Sequence, residues 1–462
     1  MIVCRSKSGK RLFVMGLGLS GLATVAALVA GGAIVIAWDD REERRTEAAR
    51  IGATIENPEQ ADWKSIDALV LSPGIPHTHP APHPAAAYAK AAGVAIIGDV
   101  ELLLAECPDA KIVAITGTNG KSTTTALIGH IFATAGKRAE VGGNLGTPVL
   151  SFAPLGADGT YILELSSYQL ELTPSLAPDI AILLNISPDH LGRHGGLAGY
   201  IAAKTRIFAS QGTGDTAIIG IDDRESFAIA KRLDGQAPTL IRISGTDNRL
   251  ADLRVAGSVL TANDEPLLDL SGAKTLPGTH NQQNAAAAFA AARAAGIPEH
   301  AIARAIDSFP GLAHRQELVA ECDGIRYVND SKATNADAAE RALGCYQPIY
   351  WIAGGQAKEG GIAPLAPYFP RIRHAFLIGE AAGTFGATLD GAVPHTECGT
   401  LDKAVTAAHL MARREHLADA TLLLSPAAAS WDQFESFEQR GDRFRAQVLQ
   451  LTAGSCGGEV RP

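Results

Sequence analysis

The sequence predicts an α/β protein of three domains, each built on a mainly parallel sheet. Short apolar runs rich in Val and Ile alternate with helix-forming segments along the chain, as in strand–helix–strand units. Glycine-rich turns follow two of these runs, near residues 16 and 117. The chain has 462 residues, and one domain usually takes about 100 to 200. We therefore predict domains at residues 1–100, 101–311 and 312–462.

The first domain is predicted to be Rossmann-like. Its first apolar strand is followed by G-L-G-L-S-G at residues 16–21, and Asp39 comes about twenty residues later, after a second strand. This spacing fits a loop that receives a diphosphate, either of a dinucleotide such as NAD or of a UDP-sugar. Ser72 and Gly74 form a turn at the end of a further strand, where ligands bind in such sheets.

The apolar stretch of residues 12–38 has a second interpretation, a membrane span or signal peptide. It contains no charged residue before Asp39, and a basic segment precedes it. Glycines at positions 16, 18, 21, 31 and 32 divide it, however, into strand, helix and strand. We therefore predict a buried β-α-β unit and no membrane span.

Residues 111–128 are predicted to form a strand, a phosphate-binding loop and a helix. The loop G-T-N-G-K-S-T spans residues 117–123, and its glycines let backbone N–H groups turn towards a polyphosphate. Lys121 would contact the terminal phosphates, and the Ser122 hydroxyl could bind Mg²⁺. The usual pattern has glycine where this chain has Ile115, so the loop is a variant. An ordinary glycine turn is the alternative, and the strand and helix on either side argue against it.

Glu164 and His190 of the second domain are candidates for metal or phosphate binding, and Lys204 follows them in the chain. Glu164 ends a predicted strand at residues 160–165, in place to hold Mg²⁺. His190 follows the strand at residues 180–184; a lone histidine is more often structural, and both roles stay open. Lys204 lies in a helical segment, where a solvated lysine is the simple alternative.

Further polar segments follow later strands or begin later helices. Asn281 and Asn284 lie three residues apart on one face of a helix start, suited to capping or to contacting an adenine or phosphate. In the third domain, a strand at residues 325–328 ends in Asp330 and Lys332. Its strands alternate with helices, so a second Rossmann-like domain is predicted.

Composition limits the class of protein. The net charge is -9 and the pI about 5.8, which argues against a nucleic-acid partner. Six scattered cysteines contain no C-x-x-C, so we expect free thiols and a cytoplasmic location. Histidines 77, 79 and 83 lie in a proline-rich run; a surface loop explains them more simply than a metal site.

Together these motifs resemble the Mur ligases, the ATP-dependent amide-forming ligases of peptidoglycan precursor synthesis, over almost the whole chain. Folylpolyglutamate synthetases share part of the set. The resemblance implies a monomer that joins D-glutamate to UDP-N-acetylmuramoyl-L-alanine through an acyl phosphate. The segments that carry it are residues 117–123, 185–190, 280–284, 314–315, 330–332, 425–434 and 437–441.

The resemblance also implies roles for individual residues. The implied catalytic residues are Lys121, His190, Lys204, Arg315 and Lys332. ATP would be bound by Gly117, Thr118, Asn119, Gly120, Lys121, Ser122, Thr123, Asn281, Asn284, Arg315 and Asp330. Mg²⁺, expected as two ions, would be held by Ser122, Glu164, His190 and a carbamylated Lys204. The UDP-substrate would be held by Gly18, Ser20, Asp39, Ser72, Gly74, Asn144 and Ser166, and D-glutamate by Thr334, Lys358, Ser430 and Phe437.

The sequence departs from the family pattern at three places. Gly192 and the pair at residues 360–361 stand where relatives often have an acid, and Ala428 replaces a frequent cysteine. The last change argues against a catalytic thiol. Two other classes of function remain as alternatives: an NAD-dependent oxidoreductase built on the first glycine loop, and a non-catalytic phosphate-loop switch that binds a partner protein.

Overall fold

The computed structural model describes residues 1–144, 146–357 and 360–453. Their strands form three sheets, of which one is wholly parallel and two are mostly parallel. The predicted fold class is thereby confirmed. The predicted domain boundaries stay predictions. The chain divides into two compact units: the first is Met1–Ala273 with Asn281–Phe309, and the second is Lys274–His280 with the residues from Pro310 onward.

The first sheet has five parallel strands in the order β3-β2-β1-β4-β5, as the Rossmann-like prediction requires. Its strands are β1 (Arg11–Met15), β2 (Ile34–Trp38), β3 (Thr54–Ile55), β4 (Ala68–Leu71) and β5 (Ala95–Ile97). Its helices are α1 (Leu19–Ala30), α2 (Glu42–Ile51), α3 (Pro84–Ala91) and α4 (Asp99–Glu106). The apolar stretch of residues 12–38 thus forms β1, α1 and β2. Within the described ranges, no helix combines the length and apolar character needed to cross a membrane.

The second sheet has the order β14-β13-β12-β11-β10-β9-β6-β8-β7, in which β12, β13 and β14 pair antiparallel and the other pairs are parallel. Its strands are β6 (Lys111–Thr116), β7 (Ala139–Gly143), β8 (Thr160–Glu164), β9 (Ile180–Leu183), β10 (Thr216–Gly220), β11 (Thr239–Ser244), β12 (Leu253–Ala256), β13 (Val259–Ala262) and β14 (Glu265–Asp269). Its helices are α5 (Lys121–Thr134), α6 (Ser167–Glu171), α7 (Leu191–His194), α8 (Leu197–Thr205), α9 (Arg224–Leu233), α10 (Thr279–Ala294) and α11 (Glu299–Asp307).

The third sheet has the order β15-β16-β20-β17-β18-β19, with β15 and β16 antiparallel and the rest parallel. Its strands are β15 (Glu317–Cys322), β16 (Ile325–Asn329), β17 (Ile349–Gly354), β18 (Ile372–Ile378), β19 (His395–Gly399) and β20 (Thr421–Leu424). Its helices are α12 (Ala336–Leu343), α13 (Ala382–Leu389), α14 (Leu401–Glu415) and α15 (Phe437–Thr452). Short 3-10 helices cover Arg5–Lys7, Trp63–Ser65, Val149–Ser151, Arg206–Phe208 and Ala363–Arg371.

The central strands of each sheet are buried on both faces. Every residue of β4, β8, β9, β17 and β20 is buried. Helices on both sides of a parallel sheet produce this pattern, and it explains the continuous apolar runs in the sequence. Polar residues stand at the carboxyl ends of several of these strands: Glu164 ends β8, Ser72 follows β4 and Ser425 follows β20.

Of the five cysteines that the structure describes, one differs from expectation, and Cys456 lies outside the described residues. Cys4, Cys107, Cys345 and Cys398 are free thiols. Cys322 is disulfide-bonded, so the prediction of a free thiol is wrong at that residue.

Candidate active site

The phosphate loop has the predicted position between β6 and α5. Gly117 and Gly120 have φ angles of 154° and 83°, and Gly120 is the N-cap of α5. A Cβ atom on Gly120 would lie 2.3 Å from Asn284 Oδ1, so only glycine fits there. Ile115 is fully buried in β6, in register with Glu164 of β8. The departure from the usual pattern thus falls in the strand, before the turn begins.

Lys121 is the first residue of α5, and its side chain folds back over the loop. Its Nζ donates to the carbonyls of Gly117 at 3.0 Å and Thr118 at 2.9 Å. The positive end of the α5 dipole adds to the ammonium charge at this point. Loop and helix start therefore form a site suited to anions.

A second segment braces the loop from the end of β9. The Asn119 N–H donates to Asn185 Oδ1 at 2.9 Å, and Asn185 Nδ2 donates back to the Asn119 carbonyl at 3.1 Å. Thr118 Oγ1 accepts from the Ser187 N–H at 3.0 Å and lies 3.1 Å from the Tyr200 hydroxyl. Sequence reasoning assigned no role to Asn185 or Tyr200. In the sequence, Asn185 was marked only by its place in the family motif at residues 185–190, and Tyr200 only by its nearness to Lys204.

Glu164 ends β8 beside the phosphate loop. The sheet order places β8 directly next to β6, and Glu164 pairs with Gly143 of β7 on its other side. The carboxylate is buried, with 3% of the residue exposed, and accepts from Asn144 Nδ2 at 3.1 Å. Ser122, in the first turn of α5, is also buried. Ser166 caps α6 through a hydrogen bond to the Gln169 N–H, so its hydroxyl has a structural role as well.

Lys204 is buried, with only 1% of the residue exposed, so the interpretation as a solvated helix lysine is wrong. Its Nζ donates to the Gly117 carbonyl at 2.8 Å and lies 4.7 Å from the centre of the Tyr200 ring. Burial, followed by the charge of Lys121, lowers the pKa of Lys204 well below its usual value. The charges of Asp189 and Glu164 oppose this lowering of the pKa. The lysine therefore reaches the phosphate loop from α8 as a weakly basic amine.

His190 lies at the N-cap of α7 in the left-handed conformation, with φ of 52°. Its Nε2 is 3.4 Å from Asp189 Oδ2, and its ring centre is 5.3 Å from that of Tyr168. Among the residues that the structure describes, no three His, Cys, Asp or Glu side chains group closely enough to hold a metal. A Mg²⁺ ion here would need hydroxyl, phosphate and water oxygens as further ligands, which is usual for this ion. The histidines of residues 77–83 form no metal cluster either within the described residues.

Besides the phosphate loop, the first unit has a second group of polar residues, at the carboxyl ends of the strands of the first sheet. Ser72 Oγ donates to the Gly16 carbonyl at 3.0 Å, which joins the two turns that follow β1 and β4. Asp39 Oδ2 accepts from the Leu17 N–H at 2.7 Å, so Asp39 braces the glycine loop. A Cβ atom on Gly18 would meet no atom within 4 Å. Gly18 is therefore free to face a ligand closely.

Asn281 and Asn284 lie in the first turns of α10, as predicted from their spacing. Both are buried, and Asn284 Nδ2 donates to Asn281 Oδ1 at 3.0 Å. Asn284 also packs against Gly120. The start of α10 thus touches the phosphate loop, which the sequence alone did not indicate.

The remaining candidates belong to the second unit. Asp330 follows β16 and is buried; it accepts from Ser425 Oγ at 2.8 Å and from the Gln316 N–H at 3.1 Å. Burial raises the pKa of Asp330 to about 7, although these hydrogen bonds and the charge of Arg315 lower it. Lys332 Nζ lies 5.0 Å from the centre of the Phe437 ring. This unit therefore groups Arg315, Asp330, Lys332 and Phe437.

Asp330→Asn is expected to change the pH dependence of unfolding. The unfolded chain loses the Asp330 proton near pH 4, whereas the raised pKa lets the folded protein keep it up to about pH 7. Rising pH therefore destabilises the wild type across that window, by about 1.4 kcal/mol for each pKa unit. Asparagine does not titrate. The urea midpoint of Asp330→Asn relative to that of the wild type should therefore increase from pH 5 to pH 8. If the difference between the two midpoints stayed constant over this range, it would contradict a buried, protonated carboxyl at Asp330.

Arg440 is a buried residue of the second unit that sequence reasoning did not single out. Only 1% of the residue is exposed. Its Nε donates to Ser331 Oγ at 3.0 Å, and its Nη2 donates to the Ser331 carbonyl at 2.9 Å and the Ala428 carbonyl at 3.1 Å. The guanidinium thus ties the loop after β16 to the loop after β20. Its place in α15, at residue 440, lies within a family motif, which was its only signal.

Arg440→Met is expected to destabilise the protein by at least about 2 kcal/mol, because several buried acceptors lose their donor. Lysine keeps the charge but not the planar guanidinium, so the stability of Arg440→Lys should lie between that of Arg440→Met and that of the wild type. Denaturant unfolding measures both. Arg443, exposed on the same helix and paired with Asp402, supplies the control Arg443→Met. Equal effects of the two Met substitutions would contradict the assignment.

Ser430, Ala428, Gly192 and Lys358 are the further positions that the sequence singled out. Ser430 is buried, and its carbonyl accepts from the Phe434 N–H at 2.8 Å. Ala428 is buried in the core beside Ala427, in keeping with a packing role. A Cβ atom on Gly192 would meet nothing within 4 Å, so the missing acid leaves open space. Lys358 lies outside the described residues.

Known proteins similar to this chain were found by sequence. Residues 115–292 match the Mur ligase middle domain, and residues 10–98 match the Mur ligase MurD-like N-terminal domain. The UDP-N-acetylmuramoylalanine--D-glutamate ligase of Paramagnetospirillum magneticum is 55% identical over 97% of this chain and 98% of its own. The ligase of the same name from Caulobacter vibrioides is 50% identical over 100% of this chain and 99% of its own.

Solved structures agree in fold. The UDP-N-acetylmuramate-alanine ligase MurC of Thermotoga maritima has a TM-score of 0.60 at 18% identity, and covers 96% of this chain and 99% of its own. MurF of Acinetobacter baumannii has a TM-score of 0.60 at 17% identity, over 95% and 93%. With two matching family domains and close relatives along almost its whole length, this chain belongs to the Mur ligase family.

Proposed function

We propose that this chain is an ATP-dependent ligase that joins D-glutamate to UDP-N-acetylmuramoyl-L-alanine in cytoplasmic peptidoglycan precursor synthesis. The observation that carries this proposal is the 55% identity to a UDP-N-acetylmuramoylalanine--D-glutamate ligase over 97% of the chain. The matched length includes the phosphate loop and the polar strand ends of both units.

The reaction must convert a poor electrophile into a good one. A carboxylate resists attack by an amine, so the γ-phosphoryl group of ATP is transferred to a carboxylate oxygen of the UDP-substrate, releasing ADP. The amine of D-glutamate then attacks the acyl phosphate carbon, and phosphate leaves as the amide bond forms. Negative charge develops on oxygen in both steps, so cations must stand where it develops.

The phosphate loop is the proposed site of the ATP phosphates. The backbone N–H groups of residues 117–123 and the start of α5 would face the phosphates. Lys121, whose Nζ already lies over the loop at 2.9–3.0 Å from two carbonyls, would stabilise the transferring group. Asn281 and Asn284 from the first unit, and Arg315 and Asp330 from the second, would bind the rest of the nucleotide.

Mg²⁺ is the proposed metal, and the residues at the loop fit its chemistry. The buried Ser122 hydroxyl, in the first turn of α5, and the buried Glu164 carboxylate, at the end of β8 beside β6, are hard oxygen ligands. His190 would serve a second ion. When bound, the ions would neutralise charge on the transferring phosphoryl oxygens.

We further propose that Lys204 is carbamylated. Its amine would attack carbon dioxide, forming an N–C bond and releasing a proton, which requires the uncharged amine. The lowered pKa of the buried Lys204 favours that form, and none of the ion pairs of the described residues includes it. An anionic carbamate would attract Mg²⁺, whereas an ammonium would repel it.

The two organic substrates are proposed to bind at separate strand ends. The UDP-substrate would contact the turns after β1 and β4 and reach the ends of β7 and β8; its residues are Gly18, Ser20, Asp39, Ser72, Gly74, Asn144 and Ser166. D-Glutamate would be held in the second unit by Thr334, Lys358, Ser430 and Phe437, with Lys332 near the transferred phosphate.

The test is the substrate dependence of ATP turnover by the purified protein. ADP and phosphate release should require both the UDP-substrate and D-glutamate, and mass spectrometry should show one amide product. Turnover with meso-diaminopimelate or L-alanine in place of D-glutamate would show that the chain is a Mur ligase with a different amino-acid specificity. ATP turnover that needs no amino acid would favour a nucleotide switch, and tight NAD binding would favour an oxidoreductase.

A further inference from the structure

Arg193, in α7, joins two parts of the first unit that the proposed reaction must hold together. Its Nη1 donates to the His79 carbonyl at 3.0 Å. Its Nη2 donates to the Pro73 carbonyl at 3.2 Å and to the Ile75 carbonyl at 3.1 Å. One guanidinium thus binds three carbonyls of the loop after β4, on both sides of Gly74.

The same guanidinium packs on an aromatic ring of the second sheet. Its Cζ lies 4.7 Å from the centre of the Tyr168 ring, and Tyr168 belongs to α6, which begins directly after the end of β8. The Tyr168 ring also lies near His190, with ring centres 5.3 Å apart. Arg193 therefore links the loop of the first sheet to the ends of β8 and β9.

His194 fixes α7 to α6 by independent contacts. Its side chain is fully buried, its Nε2 lies 2.9 Å from Ser167 Oγ, and its Nδ1 lies 3.3 Å from Glu171 Oε1. Its ring stacks on Tyr168 at 5.3 Å. Loss of Arg193 would therefore leave α7 attached to the second sheet, and would release only the loop after β4.

A second contact shows how closely this loop approaches α7. Gly195, the C-cap of α7, has φ of 66°, and a Cβ atom there would lie 3.0 Å from His79 Nε2. The loop thus lies directly against the helix end. Ser72 Oγ in turn holds the glycine loop after β1 at 3.0 Å, so the position of one turn determines that of the other.

We propose that Arg193 is a positioning residue that holds the UDP-substrate loop of the first sheet, residues 72–79, in register with His190 and the end of β8. The inference rests on the proposed function, because it assigns the UDP-substrate to the turn at Ser72 and Gly74. Arg193 touches no reacting atom. It determines where the acceptor carboxylate arrives relative to the phosphate loop.

The test compares Arg193→Gln with Arg193→Lys and with the control Arg138→Gln, which removes an exposed arginine paired with Asp158. Arg193→Gln should raise the KM and the Kd for the UDP-substrate by about tenfold or more, since it loses charge-assisted hydrogen bonds. The Kd for a non-hydrolysable ATP analogue should stay within about twofold of wild type, because the loop at residues 117–123 keeps its own contacts. Lysine should restore part of the loss, since one ammonium cannot reach all three carbonyls.

Hydrogen exchange supplies a readout that does not depend on activity. In Arg193→Gln, amides of residues 72–83 should exchange faster, while those of α5 and α8 should not change. Unaltered UDP-substrate binding, or an equal loss of nucleotide binding, would overturn the positioning role. If wild type and Arg138→Gln also failed to use the UDP-substrate, the proposed function would fall, and the inference with it.

Discussion

Lys204→Ala is expected to lower kcat by roughly 1,000-fold, the effect of losing a charged group at a transferring phosphoryl. The residue is buried at the phosphate loop, 2.8 Å from the Gly117 carbonyl, and the proposed carbamate would be a metal ligand. Small carboxylates such as acetate or formate should restore part of the activity by occupying the vacated space with an anionic oxygen. Steady-state assays with and without added carboxylate measure this.

The control for Lys204 is Lys231→Ala. Lys231 also lies over an aromatic ring, with its Nζ 4.3 Å from the centre of Phe227, but it is exposed on α9. Its removal should leave kcat unchanged. A Lys204→Ala enzyme with full activity would show that the buried amine is only structural. If a folded Lys204→Ala enzyme lost activity and added carboxylates did not restore it, the lysine would be necessary for activity, but the proposed carbamate would be contradicted.

Lys121→Met is expected to lower kcat by about 100-fold or more, since the ammonium at the start of α5 no longer faces the transferring phosphate. Binding of an ATP analogue should weaken less, because the loop N–H groups and the helix start remain. Isothermal titration and steady-state kinetics separate the two effects.

Lys111→Met supplies a matched control at the opposite end of β6, where the lysine is exposed. It should behave as wild type. If both variants kept full turnover, the loop at residues 117–123 would be an ordinary turn and the nucleotide would bind elsewhere.

Much of the fold could be predicted because buried parallel strands leave a strong trace in the sequence. The segments that form β1, β6, β8 and β9 are continuous apolar runs that end in glycine or polar residues. Gly16 and Gly120 have positive φ and crowded surroundings, so their positions in the chain predicted turns. The positive φ belongs to the turn itself, so a glycine marks it in the sequence, whereas the crowding by Ser72 and Asn284 comes from distant residues and leaves no such mark.

The antiparallel edge formed by β12, β13 and β14 was not predicted. Its strands are only four or five residues long, too short for a clear alternation. The turn between β13 and β14 has Asn263 and Asp264 with φ of 50° and 68°. An Asn-Asp pair between apolar runs is the hairpin signal that could have been used.

The parts of the candidate site that depend on distant contacts could not be predicted. Without the family resemblance, a solvated helix lysine was the simple interpretation of Lys204, because nothing nearby in the sequence shows that α8 packs its lysine against the phosphate loop. Arg193 and Arg440 donate to backbone carbonyls of loops more than a hundred residues away, as with Pro73 and Ser331. Carbonyl acceptors carry no side-chain signal, so such contacts leave no pattern.

The central step of the proposed reaction is the transfer of a phosphoryl group from ATP to the carboxylate of the UDP-substrate. UDP-N-acetylmuramoyl-L-alanine labelled with oxygen-18 in that carboxylate tests it directly, with D-glutamate and ATP present. We expect the released phosphate to carry one heavy oxygen for each amide formed. Phosphate without the label, at full product yield, would contradict the acyl phosphate and the roles proposed for the residues around it.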